Sequence, residues 1–357
     1  MKVFILQKCF KILLCLVLIS IVVVFFFQNQ YLSLKFYKFF YSKDTISCYR
    51  IQTPSLPDIT EISPRKGKSI FFHETSCRSF FNDKISITSR QACAVESAAK
   101  INPNLDVYLL FTSPGLLKNE KDESDRILQA LKTYKNLKMM HLDYEKYVKG
   151  TPVEELYTSG KIDNSYYAQS HASDVLRYLT LWKYGGIYLD LDVIVVKSLE
   201  DVPPNYAGIE SNKNVAAGVL SFDATGEGHK LAERCVNDLK DNFNGRDWGN
   251  NGPGVITRLL KSVCNVELAK DMINKYCGGF TAYPSNVFYP VPWQKWKMYF
   301  DENSTEAVVN LSKDSIAIHV WNKHSELTRL SLSSNAPYIH FARKYCPRVI
   351  AAIDEYF

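Results

Sequence analysis

Residues Ser170–Val196 join a helix to an apolar strand that carries two aspartates, and that junction constrains the rest of the chain. Val175, Leu176, Leu179 and Trp182 recur at helical spacing and make one apolar stripe. Asp174 and Arg177, three residues apart, share a separate polar face. Gly185-Gly186 stands where a residue of positive φ can stop the helix. Beyond it, Ile187, Leu189, Leu191, Val193 and Val195 alternate with Tyr188, Asp190 and Asp192. That alternation predicts a single strand from which two carboxylates project side by side, next to the polar face of the helix. Two like charges so close repel unless a cation lies between them, and a hard divalent ion with oxygen ligands is the natural occupant. The plain alternative is two solvated aspartates on a half-exposed strand. The apolar strand around them argues against it, because burial makes solvation harder.

Upstream, strands and helices alternate. Ser69–His73 reads as a first strand, Arg90–Lys100 as an Ala-rich helix and Asp106–Phe111 as a second strand. Asp125–Lys132 is a further helix and Leu137–Leu142 a third strand. This order predicts an α/β domain with a mostly parallel central sheet. Ligands of such sheets dock at the carboxyl ends of the strands, which places Thr75 and Ser76 at a docking position. Downstream come strands at Gly208–Glu210 and Val215–Phe222, with Gly218 allowing close backbone approach. A helix at Gly228–Asn242 follows, then a loop, Trp248-Gly249-Asn250-Asn251-Gly252-Pro253-Gly254, that opens another helix. Phe288–Trp296 is rich in proline and aromatics, and a late strand, Ser315–Val320, turns His319 away from its apolar residues.

The N-terminus reads differently. Ile12–Phe27 is a run of sixteen residues interrupted in polarity only by Cys15 and Ser20, with Lys2, Lys8 and Lys11 before it. As a helix it spans roughly 24 Å, short of a ~30 Å hydrocarbon core. Apolar flanks and snorkelling lysines extend it, and its Val-Val-Val-Phe-Phe-Phe end offers no small-residue cleavage site. We read an uncleaved transmembrane signal-anchor at 12–27, a tail at 1–11, a proline-containing stem at 28–67 and a folded domain at 68–357. Lysines flank both ends of the run, so charge alone does not orient it. The net charge of +6 is spread along the chain and indicates no nucleic-acid partner. Seven cysteines follow the span. Short loops pair Cys77 with Cys93 and Cys264 with Cys277, Cys235 with Cys346 follows by elimination, and Cys48 in the stem is left over; spacing alone does not fix this connectivity. No Cys-x-x-Cys or His/Cys cluster indicates zinc. Asn303-Ser304-Thr305 and Asn310-Leu311-Ser312 are N-glycosylation acceptors in a luminal domain.

Several blocks together carry a resemblance. Tyr184-Gly185-Gly186-Ile187-Tyr188-Leu189-Asp190-Leu191-Asp192, with Ser173-Asp174 and Arg177 before it, resembles the donor-sugar signature of "DXD" glycosyltransferases. Phe71-Phe72-His73-Glu74-Thr75-Ser76, Cys93–Ala99, Trp248–Pro253, Phe288–Gln294 and Ala317–Lys323 resemble, in order, blocks of the α-1,4-glycosyltransferase family. The resemblance covers roughly residues 68–350. It implies a GT-A-type nucleotide-sugar-binding fold and retaining transfer of galactose, N-acetylgalactosamine or N-acetylglucosamine from a UDP-sugar. The 4-OH of a terminal sugar, most often on a glycosphingolipid, would receive it. It implies Mn²⁺ held by Asp190, Asp192 and His319, and donor contacts from Thr75, Ser76, Asp174, Arg177, Tyr188, Asn250, Trp321 and Lys323. Acceptor contacts would come from Trp248, Tyr289 and Trp293. At Asn251 family members often carry Gln, and a side-chain carbonyl there could face the anomeric carbon. The N-terminus would be cytoplasmic and the domain in the Golgi lumen. Two rivals stand beside this reading. Leu189-Asp190-Leu191-Asp192-Val193 also fits the nucleophile motif of haloacid-dehalogenase-like phosphatases, but that strand opens its domain and here much α/β sequence precedes it. The second rival is a non-catalytic luminal protein that binds glycans or partners a transferase.

Overall fold

The computed structural model describes the backbone of residues 2–28, with side chains from Lys11 to Val24, and all of residues 45–357. Within the folded part, nine strands form two sheets. They are β1 (Ser69–Glu74), β2 (Asp106–Phe111), β3 (Leu137–His141), β4 (Gly186–Leu189), β5 (Val193–Val195), β6 (Tyr206–Ile209), β7 (Val215–Phe222), β8 (Thr281–Tyr283) and β9 (Ala317–His319). Seven make the main sheet in the order β3-β2-β1-β4-β7-β6-β8, and β5 pairs with β9 apart from it. The pairs β1/β2, β2/β3, β1/β4 and β6/β8 are parallel; β7 runs antiparallel to β4 and β6. The expectation of a mostly parallel α/β sheet therefore holds.

Helices cover both faces, which is why the central strands are buried along their whole length. Phe71, Tyr108 and Tyr188 point to one face and pack with Val175, Leu176 and Leu179 of the helix Ala168–Tyr184. Ile70, Phe72, Leu109 and Ile187 point to the other and pack with the helix Ser89–Ile101. Gly185, at φ 63° and ψ −161°, ends the helix in a region that only glycine adopts readily, not the left-handed helical one. A Cβ on Gly186 would lie 2.4 Å from the Ser69 carbonyl oxygen, so glycine lets β4 slide against β1.

Three expectations need correction. The strand through the two aspartates is not continuous. β4 stops at Leu189, Asp190–Asp192 form a turn closed by Val193 N–H on Asp190 O (3.1 Å), and the chain re-enters as β5 in the other sheet. Alternation survives a change of sheet, so period alone does not reveal the break.

The stem is shorter than its composition indicates. Residues 29–44 lie outside the described residues, but from Ile46 the segment is part of the domain: Ile46, Cys48, Tyr49, Ile51 and Ile59 are buried. The Pro57 carbonyl accepts from His141 N–H at the sheet edge (2.9 Å).

The disulfides are Cys48–Cys77, Cys93–Cys346 and Cys264–Cys277. The last matches expectation; Cys77–Cys93 and Cys235–Cys346 do not form, and Cys48 is not left over. Cys77 follows β1, where the 46–51 segment docks. Cys93 sits on the buried side of its helix, against the C-terminal helices Pro337–Tyr345 and Pro347–Ala352. Cys235 is the buried free thiol. Lys2–Gln28 is helical and its described side chains are exposed. Among the described residues no helix is long and apolar enough to cross a membrane; the span expected at 12–27 runs past Val24, its last described side chain.

Candidate active site

The turn after β4 places Asp190 and Asp192 against β9. Asp190 N–H donates to Gly218 O in β7 (2.9 Å), and Val320 N–H donates to Asp192 O (2.9 Å). His319, at the end of β9, sets Nε2 3.2 Å from Asp192 Oδ1 and 3.6 Å from Asp190 Oδ2. The first backbone N–H of the short helix Asn322–Ser325 donates to Asp192 Oδ2 (2.9 Å). One ligand atom from each of the three residues lies within 4.8 Å of the others.

Arg177 approaches from the helix side. Its guanidinium meets Asp174 Oδ1 (3.1 Å) and Asp190 Oδ1 (3.2 Å), and donates to Ala217 O (2.8 Å) and Ser173 Oγ (3.2 Å). It also lies 4.8 Å from the Tyr188 ring, whose hydroxyl donates to Asp190 Oδ1 (2.7 Å). Burial opposes ionisation of Asp190, but Arg177, then His319 and Tyr188, outweigh it and hold the carboxyl at about 2. Burial instead raises Asp192, with Asp190 adding to the rise. Burial would lower His319; Asp192 and Asp190 overcome it and raise the imidazole. Burial pushes Asp174 up to about 7 in spite of Arg177. The site is a cluster of acidic groups with one guanidinium at its edge.

These residues fit a divalent ion. Two carboxylates and an imidazole converge, and the space between them exists because residue 218 lacks a side chain. A Cβ there would lie 2.8 Å from Asp190 Oδ2 and 3.1 Å from His319 Nε2. His319 Nδ1 accepts from Trp321 N–H (3.3 Å), leaving the ring proton on Nε2, and an ion at Nε2 requires that proton to leave. Gly218→Ala is expected to weaken Mn²⁺ affinity by about 10–100-fold. Isothermal titration with Mn²⁺ reads this directly, and unchanged affinity would place the ion elsewhere.

The other expected site residues separate into two groups. Asp174, Arg177, Tyr188 and Trp321 join the cluster; the Trp321 ring lies 4.2 Å from His319, and its Nε1–H donates to Val291 O (2.8 Å). Lys323 Nζ lies 5.1 Å from the Trp248 ring and 3.4 Å from Ser170 Oγ. Trp248 and Trp293 are exposed, and Trp293 stacks on His324. Ser76 is half-buried at the end of β1; Thr75 is buried and its carbonyl accepts from Tyr49.

Three of the expected residues are engaged elsewhere in this structure. Tyr289 is buried against His319 and Trp321 and presents no face to a sugar. Asn251 is fully buried: its Oδ1 accepts from Asn244 N–H and Asn250, and its Nδ2 donates to Asn244 O (2.8 Å), so no carbonyl is free for an anomeric carbon. Asn250 spends its amide on Asn242 O, Asn251 and Arg258. This loop meets the cluster at Gly252, which sequence reasoning did not single out. A Cβ there would lie 2.4 Å from Asp174 Oδ1, and its carbonyl accepts from Tyr178 (2.6 Å). The Gly-Pro pair opening a helix was the available signal.

Beneath the site, His73 is buried, with Nε2 3.2 Å from Thr180 Oγ1 and its ring 5.1 Å from Tyr188. Burial, aided by Arg177, lowers it to about 3. Because the folded value lies below the unfolded one, His73 costs nothing above pH ~6.5, and its penalty grows as pH falls toward 3. Between pH 7 and pH 5, His73→Gln is expected to lose about 2 kcal/mol less stability than wild type in urea titrations. Equal losses would contradict a buried neutral imidazole.

The site has the composition of a DXD-type sugar-transfer centre. A description of the "glycosyltransferase sugar-binding region containing DXD motif" matches residues 88–209, and "alpha 1,4-glycosyltransferase conserved region" matches residues 224–353. Lactosylceramide 4-alpha-galactosyltransferase of Rattus norvegicus is 34% identical over 289 residues, covering 81% of this chain and 76% of that one. The Homo sapiens protein of that name is 32% identical over 312 residues, covering 87% and 83%. Alpha-1,4-N-acetylglucosaminyltransferase of Homo sapiens is 28% identical, covering 80% of each. Among solved structures, galactosyltransferase LgtC with donor and acceptor sugar analogues overlaps 78% of this chain and 96% of its own at 13% identity and TM-score 0.38. This chain belongs to the α-1,4-glycosyltransferase family, and it is a glycosyltransferase.

Proposed function

We propose that the enzyme transfers galactose, N-acetylgalactosamine or N-acetylglucosamine from its UDP-sugar, with retention, to the 4-OH of a terminal sugar on a glycosphingolipid. The observation that carries this reading is the convergence of Asp190, Asp192 and His319 beside Arg177. The names of the relatives, one a lactosylceramide transferase, support the α-1,4 linkage and the lipid acceptor. Mn²⁺ is an ion that two carboxylates, an imidazole and diphosphate oxygens together suit. When bound, it supplies charge neutralisation to the departing diphosphate.

The chain's own residues do the rest. Arg177 adds fixed positive charge beside the leaving group and keeps Asp190 ionised. Asp174, held by Arg177 in the space that Gly252 leaves by lacking a side chain, orients donor hydroxyls, with Ser76, Tyr188 and Trp321 around the donor and Lys323 near its phosphates. Trp248 and Trp293 offer exposed faces on which acceptor sugars stack. Asn251 commits its side-chain carbonyl to its own loop, which supports a mechanism without a carbonyl nucleophile from this residue. Same-face displacement then accounts for retention: the C1–O bond to phosphate breaks, the acceptor oxygen bonds C1 from the same side, and its proton passes to the departing phosphate oxygen. The apolar helix Lys2–Gln28 supports a type II anchor with the domain in the Golgi lumen, where Asn303 and Asn310, both exposed, would be glycosylated. UDP release with Mn²⁺ tests this, using each UDP-sugar against lactosyl and N-acetylhexosaminyl glycolipids. Turnover with one donor, abolished by chelator, is the expected result; Mn²⁺-dependent UDP binding without turnover on any glycolipid would overturn the acceptor assignment.

A further inference from the structure

Beside the site lies an exposed ledge whose inner residues, Trp293, Trp321 and Lys323, face the substrates and whose outer residues, Lys295, Lys297, Leu327 and Arg329, have no part in sugar transfer. It is built from two segments, 292–300 and 321–332, that pack through the stack of Trp293 on His324 (5.5 Å between ring centroids). The first reads Pro-Trp-Gln-Lys-Trp-Lys and is exposed at every position from Pro292 to Lys297 except Trp296, which is half-buried. Lys297 Nζ lies 5.9 Å from the Trp296 ring. The second segment exposes Arg329, and Leu327 at 87% of its surface. Together the segments carry four basic side chains, Lys295, Lys297, Lys323 and Arg329, against one acidic, Glu326.

Tryptophan interleaved with lysine, beside an unpartnered leucine, has the chemistry of a membrane interface: indoles settle at the headgroup level, and lysines are drawn to anionic lipid. The same chain carries an apolar helix, Lys2–Gln28, whose described side chains, Lys11–Val24, are exposed; read as the anchor proposed above, it favours lipid as the partner surface. The ledge also rims the active site. Trp321, at its root, touches His319 and anchors to Val291, one residue before Pro292. We propose that this ledge docks the domain onto the headgroups of an anionic bilayer, so that a lipid-borne acceptor sugar enters beside His319. The acceptor part of this rests on the glycolipid reading above; the docking does not.

The chain has five tryptophans, none in residues 1–44, so intrinsic fluorescence reports the folded domain alone. The test uses the full chain reconstituted in vesicles of phosphatidylcholine with or without phosphatidylserine, both with brominated acyl chains. Quenching is expected in the anionic vesicles, and Lys295→Glu/Lys297→Glu is expected to reduce it by more than about half. UDP binding with Mn²⁺ should be unchanged, which shows that the variant folds. No quenching, or quenching indifferent to the two lysines, overturns the proposal and leaves the ledge to a protein partner. In a second arm, the variant should turn over vesicle-borne acceptor about tenfold more slowly than wild type, but the water-soluble headgroup equally fast. Equal slowing on both would overturn the presentation role. Absence of turnover by wild type on either would strike only the glycolipid reading, since quenching still reports docking.

Discussion

Asp192→Ala is expected to lower kcat by about 10³-fold or more while leaving the fold as stable as before, or more so. The loss follows from removing one of the two carboxylates that would hold the ion whose charge offsets that of the departing diphosphate. The unchanged stability follows from the apo site. Asp192 is held next to Asp190, and burial outweighs His319 to raise its carboxyl, with Asp190 adding to the rise, so its removal relieves a desolvation cost and a repulsion that offset the lost contacts to His319 and Asn322 N–H. Most buried polar deletions do the reverse. Turnover and urea midpoints measured on the same preparation separate the two effects. Activity within tenfold of wild type would remove this residue from the chemistry. A large drop in stability would mean that Asp192 serves the β5/β9 junction instead.

Arg177→Ala is expected to cost about 3–5 kcal/mol of folding stability as well as activity. The guanidinium is buried and faces Asp174, Asp190, the Ala217 carbonyl and the Tyr188 ring at once. Truncation strands both carboxylates where water does not reach them easily. Lysine, with one point charge, cannot serve Asp174, Asp190 and Ala217 together, so Arg177→Lys should recover only part of the stability. Chemical denaturation at pH 7 measures both. A cost below 1 kcal/mol for the alanine variant would show that the two aspartates are solvated in the apo enzyme.

Much of this site was legible before any coordinates. The helical stripe, the Asp174/Arg177 face and the pair Asp190/Asp192 follow from period, and His319 from the family resemblance of its block, since a lone histidine on a strand is ordinarily structural. What escaped detection had a common physical cause: position along the chain does not report what a group is bonded to. Asn250 and Asn251 read as free amides because nothing local shows that Asn242, Asn244 and Arg258 take them. The strand through Asp190 read as continuous because alternation is indifferent to a change of sheet. Cys93 read as Cys77's partner because sixteen residues look short, yet the helix carrying Cys93 faces a C-terminal segment 253 residues away. Gly252 was missed for the opposite reason, since the meaning of a missing Cβ depends on the neighbour it admits.

The docking of residues 46–62 changes the scale on which the enzyme meets its substrates. A free stem of residues 28–67 could reach about 140 Å at full extension, whereas only residues 29–45 separate the N-terminal helix from the domain, a contour of about 60 Å at most. Were the N-terminal helix the anchor proposed above, a catalytic head tied to it by so short a leash would sweep a shallow layer over its membrane. Lipids in that sheet would be presented at high effective concentration, and those in an apposed sheet beyond the leash would be out of range. On that reading the enzyme would work in cis, on the leaflet beneath it, and its choice of acceptor would be set in part by which membrane it is sorted to.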